Sequence, residues 1–202
     1  MALVQIFAKP PVAARVKTRL IADIGEHKAM QVYRYCLRHT LDLVRHSGYG
    51  YQIWLSEDSQ DPIFNGETYR LQRGPDLGAR MWHAIYEQLR EKTLAAGRIV
   101  LVGADCLDLT PVHLHQAFEA LSTNDIVLLP AYDGGYPLIG CRSIDAQLFD
   151  RVQWGGSEVL NQTVNNAQSL GYQISILETV RDIDTLADLG HYPELLAIID
   201  DR

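Results

Sequence analysis

Arg98-Ile99-Val100-Leu101-Val102-Gly103-Ala104-Asp105-Cys106-Leu107-Asp108-Leu109-Thr110-Pro111 is the stretch whose reading decides the fold. Ile99 to Val102 is apolar without polar alternation, the pattern of a strand covered on both faces inside an α/β sheet. The run halts at Gly103, and a carboxylate, Asp105, follows where the backbone leaves the sheet. Thr110-Pro111 supplies the N-cap and first-turn residues of a helix. Ligands of open α/β sheets gather outside the carboxyl ends of the strands, so Asp105 stands where a ligand would be. Two roles suit a carboxylate there. It holds a divalent cation against phosphate oxygens, since hard cations take oxygen ligands, or it accepts a nearby backbone N–H to close a turn.

Working outward, Leu3–Ala8, Tyr51–Leu55, Tyr69–Gln72, Asp125–Pro130, Pro137–Cys141 and Tyr172–Leu177 read as further strands. Apolar residues at three- and four-residue steps predict helices from Glu26 to about His46, Leu77 to Ala95, Pro111 to Leu121 and Ser157 to Leu170. A final helix runs to about Ile199. Asp133-Gly134-Gly135 between two strand-like runs signals a hairpin, which would set one strand antiparallel and make the sheet mixed. No repeat or linker divides the chain, and its length suits one α/β domain, so a single domain over residues 1–202 is expected.

Composition narrows the function classes. A formal net charge of -7 argues against a nucleic-acid partner, which calls for a basic surface. No apolar run approaches the roughly 20 residues that span a bilayer. The first residues lead straight into a strand without a basic n-region, so a cytoplasmic protein without signal peptide is expected. Cys36, Cys106 and Cys141 are far apart and odd in number, which makes neither a disulfide framework nor a zinc site. His113 and His115 lie two apart on a helix and do not face each other, against a metal pair.

Several loops after strands carry candidate chemistry. Lys9, Arg15, Lys17 and Arg19 fall within eleven positions of a loop stiffened by Pro10 and Pro11. Such a loop offers Lys point charges and Arg forks to a phosphate chain, or it is simply a solvated basic loop. It lacks the glycines of a Walker A loop. Gln72–Met81 is a turn with Gly74, Gly78 and Arg80, where glycines allow close approach to a ligand and Asp76 suits a helix N-cap. The Asp133 hairpin suits a pocket wall at a sugar or phosphate, although the turn alone explains its glycines. Asp182 and Asp184 share a side if their segment is extended, while Asp184 also suits a helix cap. Trp54, Trp82 and Trp154 are candidates for a pocket wall or for core. An exposed edge strand is open to pairing with a second copy, as in a homodimer, or is covered by the chain itself.

Five ordered motifs then resemble a known family: Phe7-Ala8-Lys9-Pro10-Pro11 with Arg15-Val16-Lys17-Thr18-Arg19-Leu20; Gln72 to Met81; Gly103-Ala104-Asp105-Cys106; Pro130 to Gly140; and Asp182-Ile183-Asp184-Thr185 with Asp188-Leu189. Together they resemble the DUF2064 family, part of which is assigned to arsenosugar-biosynthesis-type glycosyltransferases, within the GT-A or nucleotide-diphospho-sugar transferase superfamily. The resemblance implies a single Rossmann-like three-layer α/β/α domain with a mixed, mostly parallel sheet of about seven strands. It also implies a transferase using Mg²⁺ or Mn²⁺, a nucleotide-sugar or NTP, and a small-molecule acceptor. Lys9, Arg15, Lys17 and Arg19 fall on its nucleotide-phosphate loop, and Gly74, Gly78 and Arg80 on a further nucleotide-binding turn. Asp105 and Asp184 fall on metal positions, and Asp133, Gly134, Gly135 and Tyr136 on an acceptor-side loop. Asp105, Lys17 and Asp133 are the catalytic candidates. Two departures stand out: Ala13-Ala14 where the family usually has Pro-Gly, and Leu107 where it usually has proline. Glycosyl transfer is the leading expectation, with nucleotidyl transfer and pyrophosphate release as the alternative. A third reading is a nucleotide-binding protein without turnover, for which Ala13-Ala14 is the main support.

Overall fold

The computed structural model describes residues 2–90 and 97–200. Seven strands form one sheet: β1 (Ala2–Ala8), β2 (Gly50–Leu55), β3 (Tyr69–Leu71), β4 (Arg98–Gly103), β5 (Ile126–Leu129), β6 (Leu138–Cys141) and β7 (Ile174–Ile176). Their order is β3-β2-β1-β4-β6-β5-β7. β6 runs antiparallel to both neighbours, and every other pairing is parallel. The sheet is therefore mixed and mostly parallel, as the Asp133 hairpin and the family resemblance both predict. The connection itself is longer than a tight hairpin. Eight residues, 130–137, separate β5 from β6, because the loop docks on the start of a helix rather than turning at once. There Leu160 N donates to Gly134 O at 2.9 Å. Gly134 lies so close to the Ser157 carbonyl that a Cβ would sit 1.9 Å from it.

The helices are α1 (Ile21–Arg45), α2 (Leu77–Leu89), α3 (Pro111–Ala120), α4 (Val159–Ser169), α5 (Leu186–Leu189) and α6 (Pro193–Asp200). Three short 3₁₀ turns lie at Thr18–Leu20, Pro62–Phe64 and Ala146–Phe149. α1 begins earlier than its apolar spacing predicts and is broken at Gly25, whose φ of 79° and ψ of 161° interrupt the helix. The part of the predicted second helix from residue 91 to 95 lies outside the described residues. The expected last helix is two, α5 and α6, each with its own start. Asp76 is the N-cap of α2, accepting from Ala79 N at 2.8 Å. Thr110 caps α3, and its backbone N–H donates to His113 Nδ1 at 3.1 Å, which gives that histidine a local task.

Successive residues of a strand face opposite sides, so β4 feeds two cores at once. Val100 and Val102 join Val4, Ile6, Leu37 and Leu114 under α1 and α3. Ile99 and Leu101 join Phe7, Met81, Ile85 and Ile139 under α2 and α4. A third, smaller cluster packs α5 and α6 against the other flank of α1 through Val32, Cys36, Ile183, Leu189 and Leu195. The three cysteines are free and buried. Among the described residues, no helix is long and apolar enough to cross a membrane.

Candidate active site

A cavity of about 470 Å³ opens at the carboxyl ends of β1 to β4 and at the start of antiparallel β6. One wall is the loop after β1. Tyr33 of α1 pins its first residue twice, accepting from Lys9 N at 2.8 Å and donating to Lys9 O at 3.0 Å. Val16 is buried in the core, and the chain then enters Lys17 in a left-handed conformation, φ 45° and ψ 44°. Ala14 is also left-handed, with φ 62°. The loop thus keeps a backbone that glycine adopts freely, although alanine occupies it. A Cβ in this region costs about 1–2 kcal/mol, partly offset by glycine's freer unfolded chain. Ala14→Gly is therefore expected to stabilise the protein by about 0.5–1 kcal/mol, read as a higher midpoint in denaturant unfolding.

Lys17 is the centre of the site. Its side chain is 2% exposed, and Nζ lies 3.3 Å from Asp105 Oδ2 and 3.8 Å from Asp184 Oδ1, while also donating to Ile183 O. Burial alone would lower its pKa, but Asp105, Asp182 and Asp184 outweigh burial and hold it above the ordinary lysine value. The ammonium stays charged. Asp105 is 40% exposed and takes no backbone N–H among the described residues, so the turn-capping role is not the one it plays. Burial first, and then Asp105, pushes Asp182 up to about 8. Asp184 is raised for the same leading reason, burial, with Lys17 and Arg19 opposing. Asp133, Asp182 and Asp184 each offer a carboxylate oxygen within 4.8 Å of the others.

Two sequence-distant loops meet to build this cluster, and hydrogen bonds fix them. Cys106 Sγ donates to Arg181 O at 3.3 Å. Asp108 accepts from Arg181 N at 2.9 Å and from Tyr192 OH at 2.8 Å. The loop after β4 is thereby tied to residues 181–184. Thr185 caps α5, which leaves the Asp184 side chain free for the basic residues. Asp108→Ala removes an ionised acceptor from two donors and is expected to cost about 2–3 kcal/mol in denaturant unfolding.

The cavity gathers part of the predicted set: Lys9, Lys17, Arg80, Asp105, Asp133, Gly135 and Tyr136 line it. Others are turned to different work. Arg15 pairs with Glu57 at 2.9 Å in solvent. Arg19 holds Asp184 at 2.8 Å and Gly155 O at 3.1 Å. Gly78 faces Phe149 and Trp154, each 2.7 Å from where its Cβ would be, and Gly74 abuts Ala79 of α2. Packing therefore explains both glycines, and neither lines the cavity. Tyr136 presents its ring, since its hydroxyl is bonded to Thr163 Oγ1 at 3.2 Å. Asp133 Oδ1 accepts from Gly135 N at 2.8 Å, closing its own loop. Among the three tryptophans, Trp154 lines the cavity, whereas Trp54 is core. Asp182 is the cluster member whose only signal in sequence is its spacing from Asp184. Ser56 and Gln72 complete the lining beyond β2 and β3. Gln72 opens the Gln72–Met81 turn already marked in sequence, whereas Ser56 is brought here by the sheet order alone.

Residues 43–156 match the family described as uncharacterized protein conserved in bacteria, DUF2064. The chain belongs to the DUF2064 family. The matched span carries Asp105, Asp133 and the Gln72–Met81 turn of this DUF2064 protein. No curated protein matches it. Among solved structures, it is similar to a protein of Desulfovibrio desulfuricans G20 assigned as a nucleotide-diphospho-sugar transferase. The identity is 27%, with 98% of this chain and 96% of that chain covered and a TM-score of 0.86. Its fold is also that of CMP:2-keto-3-deoxy-manno-octonic acid synthetase complexed with CTP (12% identity, 97% and 98% covered, TM-score 0.60). The manganese complex of Rv0371c from Mycobacterium tuberculosis H37Rv shares it as well (15% identity, 96% and 99% covered, TM-score 0.54). The DUF2064 chain thus has the fold of nucleotide-using transferases.

Proposed function

We propose that this protein is a divalent-cation-dependent transferase acting on a nucleotide-sugar, and that the aspartate cluster around Lys17 is its catalytic centre. The carrying observation is the buried, charged Lys17 set among Asp105, Asp182 and Asp184 at the end of the central strand. Oxygen donors alone, with carboxyl groups pushed toward the neutral form by burial, fit a hard cation whose charge would relieve them. Asp182 and Asp184, with Asp105, which shares Lys17 with Asp184, would hold Mg²⁺ or Mn²⁺, and the cation would supply positive charge for a diphosphate.

The chain's own residues supply the rest. Lys9, Lys17 and Arg80 face the cavity and stabilise the charge that develops on a departing nucleoside diphosphate. The acceptor oxygen bonds to the anomeric carbon as the bond from that carbon to the β-phosphate oxygen breaks. The diphosphate leaves with the electron pair, and the hydroxyl proton passes to Asp133 at the rim. Glycosyl transfer is favoured over nucleotidyl transfer because Arg15 and Arg19, paired with Glu57 and Asp184, do not line the cavity, which leaves it fewer positive side chains than a triphosphate calls for. The left-handed Ala14 supports an active loop over a protein without turnover, since alanine here holds a conformation that glycine adopts freely.

Thermal shift with UDP-, GDP-, ADP- and CDP-sugars and the four NTPs, each with Mn²⁺ and with EDTA, tests the proposal. A ligand that binds the folded state raises the midpoint by mass action. A shift with one nucleotide class that needs Mn²⁺, and free nucleoside diphosphate as product, is the expected outcome. Pyrophosphate as product would favour nucleotidyl transfer, and no shift with any nucleotide would end both transferase readings.

A further inference from the structure

Arg19 reaches across the cavity instead of into it. The loop after β1 lines one bank with Val16 and Lys17, and the turn before α4 lines the other with Trp154, Gly155 and Gly156. Among the described residues, Arg19 alone hydrogen-bonds one bank to the other. Its Nη1 donates to Asp184 Oδ2 at 2.8 Å, and its Nη2 donates to Gly155 O at 3.1 Å, 136 residues away in sequence. Both bonds come from one rigid planar fork, so they hold or fail together.

Each carboxylate oxygen of Asp184 faces a base. Oδ2 takes Arg19, and Oδ1 lies 3.8 Å from Lys17 Nζ. A cation drawn to either oxygen therefore meets a positive group already there, and like charges at that range repel strongly. Lys17 is the harder of the two to move. Its side chain is 2% exposed and is also bonded to Asp105 and Ile183 O, so displacing it would strand a buried ammonium. The Arg19 side chain is 56% exposed, and an ion pair in solvent is worth little net. Arg19 is the one that gives way.

What it lets go is a short span able to turn. Gly155 has a φ of 83°, and nothing lies within 4 Å of where its Cβ would be. A second glycine, Gly156, follows it. Both flanks are fastened: Trp154 packs on Gly78 beside Phe149, and the Ser157 carbonyl lies against Gly134. With Arg19 gone from the Gly155 carbonyl, the two glycines can rotate while their neighbours stay.

We infer that Arg19 is a strap across the solvent edge of the cavity, and that a divalent cation releases it by taking Asp184. The inference rests on the cation site proposed above and adds a regulation to it. The Gly155-Gly156 edge of the site is rigid while Arg19 holds Asp184, and it loosens once the cation is in place.

The test is a nuclear magnetic resonance titration of the whole protein with Mg²⁺ alone, with binding followed on the same samples by calorimetry. The guanidinium signals of Arg19 report hindered rotation while the fork is held, and that hindrance should be lost as Mg²⁺ binds. The amide order parameters of Gly155 and Gly156 should fall in step, from about 0.85 to below about 0.6, while those of Trp154 and Ser157 stay. Arg19→Lys keeps the charge but offers one ammonium in place of a fork. In that variant the two glycines should be mobile without Mg²⁺ and change no further when it is added. The first readout is made on the unaltered protein, so a poorly folding variant does not block the result. Mg²⁺ binding that leaves Arg19 and the glycines rigid overturns the strap, and so do rigid glycines in Arg19→Lys. Absence of Mg²⁺ binding is a separate result: it strikes the cation site itself, and the strap with it.

Discussion

Asp105→Ala is expected to lower turnover by about 10²–10³-fold, the scale of losing one preorganised charge partner in a catalytic centre. The residue sits at the end of the central strand, bonded to Lys17 and to no backbone amide among the described residues. Removing it does two things. It takes one oxygen ligand from the proposed cation site, and it leaves Lys17 with Asp184 and the Ile183 carbonyl as its remaining partners. The Mn²⁺-dependent part of the nucleotide thermal shift should shrink in step with turnover, while the nucleotide-only part stays. Full activity in this variant would leave Asp105 as an ion-pair partner of Lys17 with no catalytic task.

Lys17→Met should produce the largest loss of stability, about 3–5 kcal/mol near neutral pH, because it strips the buried partner from a set of carboxylates. Counted with every group ionised, as a bound cation would favour, Asp105, Asp133, Asp182 and Asp184 against Lys17 and Arg19 leave a formal charge of −2, which one divalent cation would neutralise. Without Lys17 the sum is −3. The variant, where folded, should therefore bind Mn²⁺ more tightly than the unaltered protein while losing turnover. The pH dependence follows from Asp182, whose pKa of about 8 in the fold lies above the ordinary value of about 4. A group raised in this way contributes stability that is complete below about pH 4 and lost as the pH rises through about 8. Lys17 opposes the rise of Asp182 and Asp184, so removing it raises those two further, and the deficit should be small at pH 5 and large at pH 8.5. Paired urea titrations at the two pH values, with and without Mn²⁺, measure it. An equal deficit at both would show that Lys17 acts by packing alone.

Much of the fold is legible because strand and helix signals are local. Ile99–Val102 reads as a doubly covered strand, and β4 is one, pairing with β1 on one side and β6 on the other. Asp133-Gly134-Gly135 announces the reversal that makes β6 antiparallel. The site is legible only in part. Asp105, Lys17 and Asp133 can be named from their place after strands, but Gly74 and Gly78 owe their presence to packing. A glycine that admits a ligand and one that admits a tryptophan look alike in sequence.

By itself, the sequence determined an α/β fold with a mixed sheet and pointed to the carboxyl ends of its strands, where the cavity lies, since apolar periodicity and turn residues act over a few positions. The tertiary structure decided which charges meet. Lys17, Asp105 and Asp184 come from three loops separated by 88 and 166 residues from the lysine to Asp105 and to Ile183, beside Asp184. Their encounter depends on the sheet order and on the Asp108 bonds that tie two of those loops together. It also decided that Arg15 faces Glu57, and that Trp154 faces the cavity while Trp54 fills the core. Burial and partner choice are properties of the packed chain, because a side chain's electrostatic energy is set by neighbours that sequence distance does not reveal.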